Sequence, residues 1–241
     1  MFGNSSENDF LNHNHSQVTQ AANHIAKAQA TFMAKVYGWM FSGLSITGVT
    51  AFYVYESGLV YQLGGSIFLL FIALFGMVWY LSSRIDSMSA TTASVLFIAY
   101  SFIQGVVLST LFATYTMGSI STVFFISAGS FGALSAFGLI TKKDLTGVGN
   151  FMFMGLIGII LASVVNIFLG SSILYTTISL LGVLIFAGLT AYDTQKIKEM
   201  YLSAAEGKEV ATKTSIIAAL SLYLDFINLF LFLLRLLGDR R

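Results

Sequence analysis

Long apolar stretches separated by short polar breaks dominate the chain, and each stretch approaches the roughly 20 residues that a membrane-spanning helix needs. Cut at the breaks, they number seven: Met33 to Tyr55, Gly65 to Ser83, Thr92 to Tyr115, Ile120 to Thr141, Val148 to Leu169, Ile173 to Tyr192 and Ser215 to Leu237. Alternate breaks differ in charge. Lys27 and Lys35 precede or open the first stretch, Arg84 follows the second, Lys142 and Lys143 follow the fourth, and Lys196, Lys198, Lys208 and Lys213 separate the last two. The opposite connections, around Ser57 to Gly64, Met117 to Ser119 and Gly170 to Ser172, hold no Lys or Arg. The positive-inside rule then predicts a cytoplasmic amino terminus. Arg240 and Arg241 pull against this topology, leaving open a seventh segment that re-enters instead of crossing. Residues 1–31 are rich in Asn, Ser, Gln and His and read as a disordered cytoplasmic arm ahead of a transmembrane domain over residues 32–241. His13 and His15 in that arm lack carboxylate or Cys company and read as solvated.

Composition narrows the class further. The chain is 56% hydrophobic and 10% charged, with a mean hydropathy of +0.81, values that exclude an ordinary soluble domain. It has no Cys, hence no disulfide or thiolate metal site, and no Pro, so any helix kink would rely on glycine. A net charge of +1 offers nucleic acid nothing to grip. The expected fold is an all-α bundle of seven transmembrane helices in contact with membrane lipid. Glycine pairs such as Gly43 with Gly48, Gly129 with Gly132 and Gly155 with Gly158 read as close-packing positions. Tyr and Trp near the ends of the stretches read as interfacial anchors.

Against that background two acids stand out. Asp225 lies deep in the seventh stretch, where a carboxylate costs roughly 2.5–3.5 kcal/mol on insertion scales and so usually faces a partner or a cavity. Asp193 lies in Thr190-Ala191-Tyr192-Asp193-Thr194-Gln195-Lys196-Ile197, near the cytoplasmic end of the sixth. The two helices form a hairpin, which brings both carboxylates to comparable depth. Two such groups in a low-dielectric interior titrate as a unit and can share one proton, a chemical basis for a pH sensor. They also form a candidate weak cation site. Ca²⁺ prefers six to eight oxygens, so carbonyls, waters or Asn228, one turn from Asp225, would have to complete it. The plainer reading of Asp193 is an interfacial acid paired with Lys196. Arg84 is a candidate latch over the acids, with a positive-inside anchor as its plainer reading. Arg235 is expected to reach the far interface.

These segments resemble the transmembrane Bax inhibitor motif family, also called the lifeguard or YccA-like family. The resemblance rests on Tyr192-Asp193 together with Leu224-Asp225-Phe226-Ile227-Asn228, and it runs from about Phe32 to the carboxyl terminus. Ala34-Lys35-Val36-Tyr37-Gly38-Trp39-Met40 and Thr141-Lys142-Lys143-Asp144-Leu145 are similar to its bacterial inner-membrane branch. The resemblance implies a bundle with the seventh helix at its centre. It also implies that Asp193 and Asp225 form the hydrogen-bonded, pH-sensitive gate of a Ca²⁺ leak, with Arg84 matching the latch by approximate position. Some bacterial relatives are linked instead to a membrane-bound ATP-dependent protease.

Three functions compete. The first is a proton-regulated cation leak. The second is an interaction protein that binds other membrane proteins through the arm and the connection from Thr194 to Thr214. The third is an intramembrane aspartyl protease, disfavoured because Leu222-Tyr223-Leu224-Asp225 stands where Gly-x-Gly-Asp is expected and because a chain without Pro cannot carry that class's Pro motif. No cofactor and no catalytic group is expected.

Overall fold

The computed structural model describes residues 5–201 and 207–241, with no account of the side chains of 5–16, 18, 21 and 22; His13 and His15 fall among these and outside the described residues. Among the described residues there are seven long helices: α1 (Ser5–Glu56), α2 (Ser66–Arg84), α3 (Ala90–Thr114), α4 (Met117–Ile140), α5 (Thr146–Leu169), α6 (Ser172–Glu199) and α7 (Lys208–Leu237). Single turns of 3₁₀ helix, Leu59–Gln62 and Ile85–Ser87, lie on either side of α2. In lipid every backbone group must be satisfied internally, and an all-helical chain does this within each segment.

Six of the helices, α2 to α7, are long and apolar enough to cross a membrane. The first predicted span is helical as well, but Lys35 and its many Ser, Thr and Gly residues dilute it below the others. It continues without a break from the amino-terminal arm, which was expected to be disordered and is helical in its backbone from Ser5. Neither Gly nor Pro occurs between Gly3 and Gly38, and Ala26, Ala28, Ala30 and Ala34 are strong helix formers, so nothing in the chain stops the helix.

Short turns enter several helices through side-chain caps. Ser89 Oγ accepts from the Thr92 amide at 3.1 Å, Thr116 Oγ1 from Ser119 at 3.2 Å and Ser171 Oγ from Leu174 at 3.3 Å. Each satisfies an amide that a helix start would otherwise leave unpaired.

The ends of α7 decide its topology. At the lysine-rich end Glu209 Oε1 accepts from the Ala90 amide at 3.3 Å, and Lys213 Nζ donates to the Asp86 carbonyl at 3.1 Å. At the other end the tail after Leu237 lies along the α3–α4 turn: the Thr116 amide donates to the Asp239 carbonyl at 3.1 Å and the Arg241 amide to the Thr114 carbonyl at 3.0 Å. The seventh segment therefore crosses the bundle completely and is not re-entrant. Arg240 and Arg241, which argued against crossing, are held by aromatic residues at that end. Arg240 donates to Tyr175 Oη at 2.9 Å and stacks over Tyr115, while Arg241 donates to Tyr55 Oη. Arg235 lies over the Tyr175 ring at 5.7 Å, as expected of a side chain reaching the far interface.

α7 is the central helix. In its most apolar stretch 61% of residues are buried, the largest share of the six. It packs against α1, α3, α4 and α6. Close approach elsewhere falls at one member of two of the expected pairs, Gly43 against Phe97 and Gly155 against Ile185, and at glycines outside those pairs. A Cβ on Gly138 of α4 would run into the Ala191 carbonyl of α6, and one on Gly105 of α3 would come within 2.7 Å of the Thr47 carbonyl of α1. Gly48, Gly129, Gly132 and Gly158 have open space beside them. A glycine spacing shows where helices can approach; only packing shows where they do.

Candidate functional site

Asp225 projects from the core face of α7, between Tyr223 and Phe226, which are themselves buried, and is 5% exposed. Its Oδ2 has no hydrogen-bond partner among the described residues. A buried polar atom in that condition costs on the order of 1–3 kcal/mol, more when charged, so this oxygen is poised for a proton or a cation. Asp193 comes from α6, half-buried, and α6 runs on to Glu199, past the membrane-core limit of Tyr192 read from hydropathy. Across the α6–α7 contact the two carboxylates lie close enough for the charge of Asp193 to act on Asp225.

Lys196, the plainer partner proposed for Asp193, also acts on it electrostatically, but its ammonium rests 5.8 Å over the Tyr192 ring. Around Asp193 the wall is polar. Thr194 Oγ1 donates to the Thr190 carbonyl at 2.7 Å and lies 3.3 Å from Ser135 Oγ of α4, all three residues being buried.

The other candidates stand apart. Asn228 turns back on its own helix, its Nδ2 donating to the Leu224 carbonyl at 2.8 Å. Arg84 is exposed at the end of α2, and no ion pair or hydrogen bond joins its side chain to either aspartate among the described residues. Nor do three or more His, Cys, Asp or Glu side chains gather into a metal-holding group among those residues. Two carboxylates alone fall short of a Ca²⁺ shell.

Two supporting residues escaped the sequence reading. Tyr223 is fully buried, with its hydroxyl 2.7 Å from Thr47 Oγ1, which in turn lies 2.9 Å from the Ser101 carbonyl. Phe97 and Tyr100 meet its ring edge-on at 6.1 and 5.8 Å. This cluster locks α1 and α3 to α7 beside Asp225. Gln195 holds the α4–α5 loop with both amide atoms: Nε2 donates to the Lys143 carbonyl at 2.9 Å and Oε1 accepts from the Leu145 amide at 2.8 Å. Both residues sit inside the motifs already noted for their aspartates, where a second polar group next to an acid was the available signal.

The family model for the inhibitor of apoptosis-promoting Bax1 matches residues 29–241. The chain belongs to the Bax inhibitor family. Among its relatives, inner membrane protein YbhL of Escherichia coli K12 is 47% identical over 222 residues, covering 88% of this chain and 92% of YbhL. An uncharacterised protein of Rickettsia prowazekii is 46% identical over 216 residues, covering 87% and 90%. One of Borreliella burgdorferi is 45% identical over 214 residues, covering 87% and 92%. The family match spans both aspartates and all seven helices except the start of α1.

Proposed function

We propose that this member of the Bax inhibitor family is a pH-sensitive cation leak, with Ca²⁺ the permeant ion, gated by a proton sensor made of the paired Asp193 and Asp225. It carries out no catalysis. It sits in a bacterial inner membrane, as the name of the relative YbhL suggests, with its amino terminus in the cytoplasm by the distribution of lysines. The observation that carries the reading is the unpartnered Oδ2 of Asp225 at the core of the central helix, with a second carboxylate acting on it from α6. The ionisable groups acting on the pair are the two carboxylates themselves and Lys196. Two like charges in a low-dielectric interior resist joint ionisation. A change in the protonation of the pair therefore changes the force between α6 and α7, and with it the packing that closes the bundle.

The test is Ca²⁺ entry into dye-loaded liposomes containing the purified chain, followed across pH. Flux is expected to vary with pH in the native protein, and Asp225→Asn is expected to flatten that dependence more than Asp193→Asn. An unaltered pH profile in both variants would end the proposal.

A second reading is a membrane-embedded regulator that binds other membrane proteins, such as an ATP-dependent membrane protease. It is favoured by α5, which packs mainly on α6 and presents Phe151, Met154 and Phe168 outward. In-membrane crosslinking from α5 that captures a protease, without liposome flux, would select this reading over the leak.

A further inference from the structure

A cavity of about 360 Å³ lies at the lysine-rich end of the bundle, where the α4–α5 loop meets α1 at Gln29 and the end of α6. Its lining is polar and carries balanced charge: Lys142 and Lys198 against Asp144 and Glu199, with Gln29 and Thr141 between them. The floor is fixed. Gln195 holds the loop backbone on both sides of Asp144, and Lys198 Nζ donates to the Leu139 carbonyl at 3.0 Å. Asp144 Oδ1 accepts from the Thr146 amide at 2.8 Å. The rim is accessible, since Lys142, Asp144 and Glu199 are exposed.

A free anion would meet two carboxylates here, and a free cation two ammonium groups. A ligand carrying both charges a few bonds apart meets neither penalty. The cavity also lies at the ends of membrane-spanning helices, the level at which lipid headgroups sit.

We propose that this cavity binds a phosphate–ammonium zwitterion, the headgroup chemistry of an ethanolamine phospholipid. Lys142 and Lys198 face the phosphate; Asp144 and Glu199 accept hydrogen bonds from the primary ammonium. The site is separate from the aspartate pair and does not depend on the leak being correct.

The experiment is native mass spectrometry of the full-length chain released from vesicles containing equal parts of phosphatidylethanolamine, phosphatidylcholine and phosphatidylglycerol. Phosphatidylcholine keeps both charges but lacks N–H donors; phosphatidylglycerol lacks the cation. Charge-assisted hydrogen bonds of the usual strength predict about tenfold preferential retention of phosphatidylethanolamine. Lys142→Ala and Glu199→Gln should each erase most of that preference, whereas Lys143→Ala, outside the lining, should leave it intact. Competition by soluble phosphoethanolamine at millimolar concentration would identify the free headgroup as an equally good ligand; its failure to compete, with preference retained, would assign the site to the lipid. Equal retention of the three lipids, or a preference that survives both lining variants, would overturn the proposal. Circular dichroism and gel filtration of each variant separate loss of binding from loss of fold.

Discussion

α5 and α7 have nearly equal mean hydropathy and both cross the membrane, yet 6% of the apolar stretch of one is buried and 61% of the other. Apolarity inserts a helix; it does not choose between the lipid face and the core, because lipid tails are as apolar as a protein interior. What separates the two is polar content and partners. Within its membrane stretch α5 has no charged residue, and it packs mainly on α6. α7 carries Asp225, Asn228 and Tyr223, and it touches four other helices. A carboxylate in lipid is expensive, so the helix that bears one is driven to the interior, where a second polar helix can face it.

The comparison can be broken most forcefully by truncating one leucine on each helix. Leu229 of α7 is 1% exposed, and Leu161 of α5 is 62% exposed. Leu229→Ala leaves a cavity and is expected to destabilise the folded bundle by about 2–3 kcal/mol, the packing loss that remains when no transfer from water is involved. Leu161→Ala, facing lipid, should change stability by no more than about 0.5 kcal/mol. Equilibrium unfolding in mixed micelles measures both, and equal losses would refute the assignment of core and periphery.

Glycine substitution sharpens the same contrast with a smaller effect. Gly138→Ala places a methyl against the Ala191 carbonyl where α4 crosses α6, and should cost about 1–3 kcal/mol as the helices separate. Gly158→Ala on α5 meets open space and should be neutral or stabilising by up to about 1 kcal/mol through helix propensity. Thermal unfolding of the pair reads the difference directly.

The smallest effect is expected at the start of α5, where charge acts only at the helix end. Hydrogen bonds from Thr146 hold the Asp144 carboxyl below its usual range. A group depressed on folding contributes stability above its unfolded pKa and loses it as pH falls through the folded value. The contribution should therefore fade below about pH 4. Asp144→Asn should lower stability slightly at neutral pH, with the difference from the native chain vanishing in the acid range; the loss is small because the carboxylate is fully exposed and screened. A loss that persists undiminished in the acid range would show that the loop contact is structural, not electrostatic.

The legible parts of the molecule were those set by cost. Hydropathy located the six membrane-crossing helices to within several residues, because the price of a polar backbone or side chain in lipid leaves few alternatives. The same cost marked Asp225, whose burial follows from its depth in an apolar run. Tyr223 and Gln195 were not legible as supports. Each is an ordinary residue whose role depends on what lies opposite, Thr47 of α1 in one case and the α4–α5 loop backbone in the other. The outer tyrosines read as interfacial anchors; Tyr55, Tyr115 and Tyr175 also hold Arg240 and Arg241, a contact between chain segments far apart in sequence.

From sequence alone came the all-helical membrane class, the family and the placement of two acids on adjacent helices, all consequences of local apolarity and of motifs a few residues long. Tertiary structure alone decided that α7 crosses fully, that Asn228 binds its own helix and that Arg84 stands clear of the acids. It also decided which glycines carry close contacts. Orientation about a helix axis is set by the partners on each face, and hydropathy summed along the chain retains no record of them.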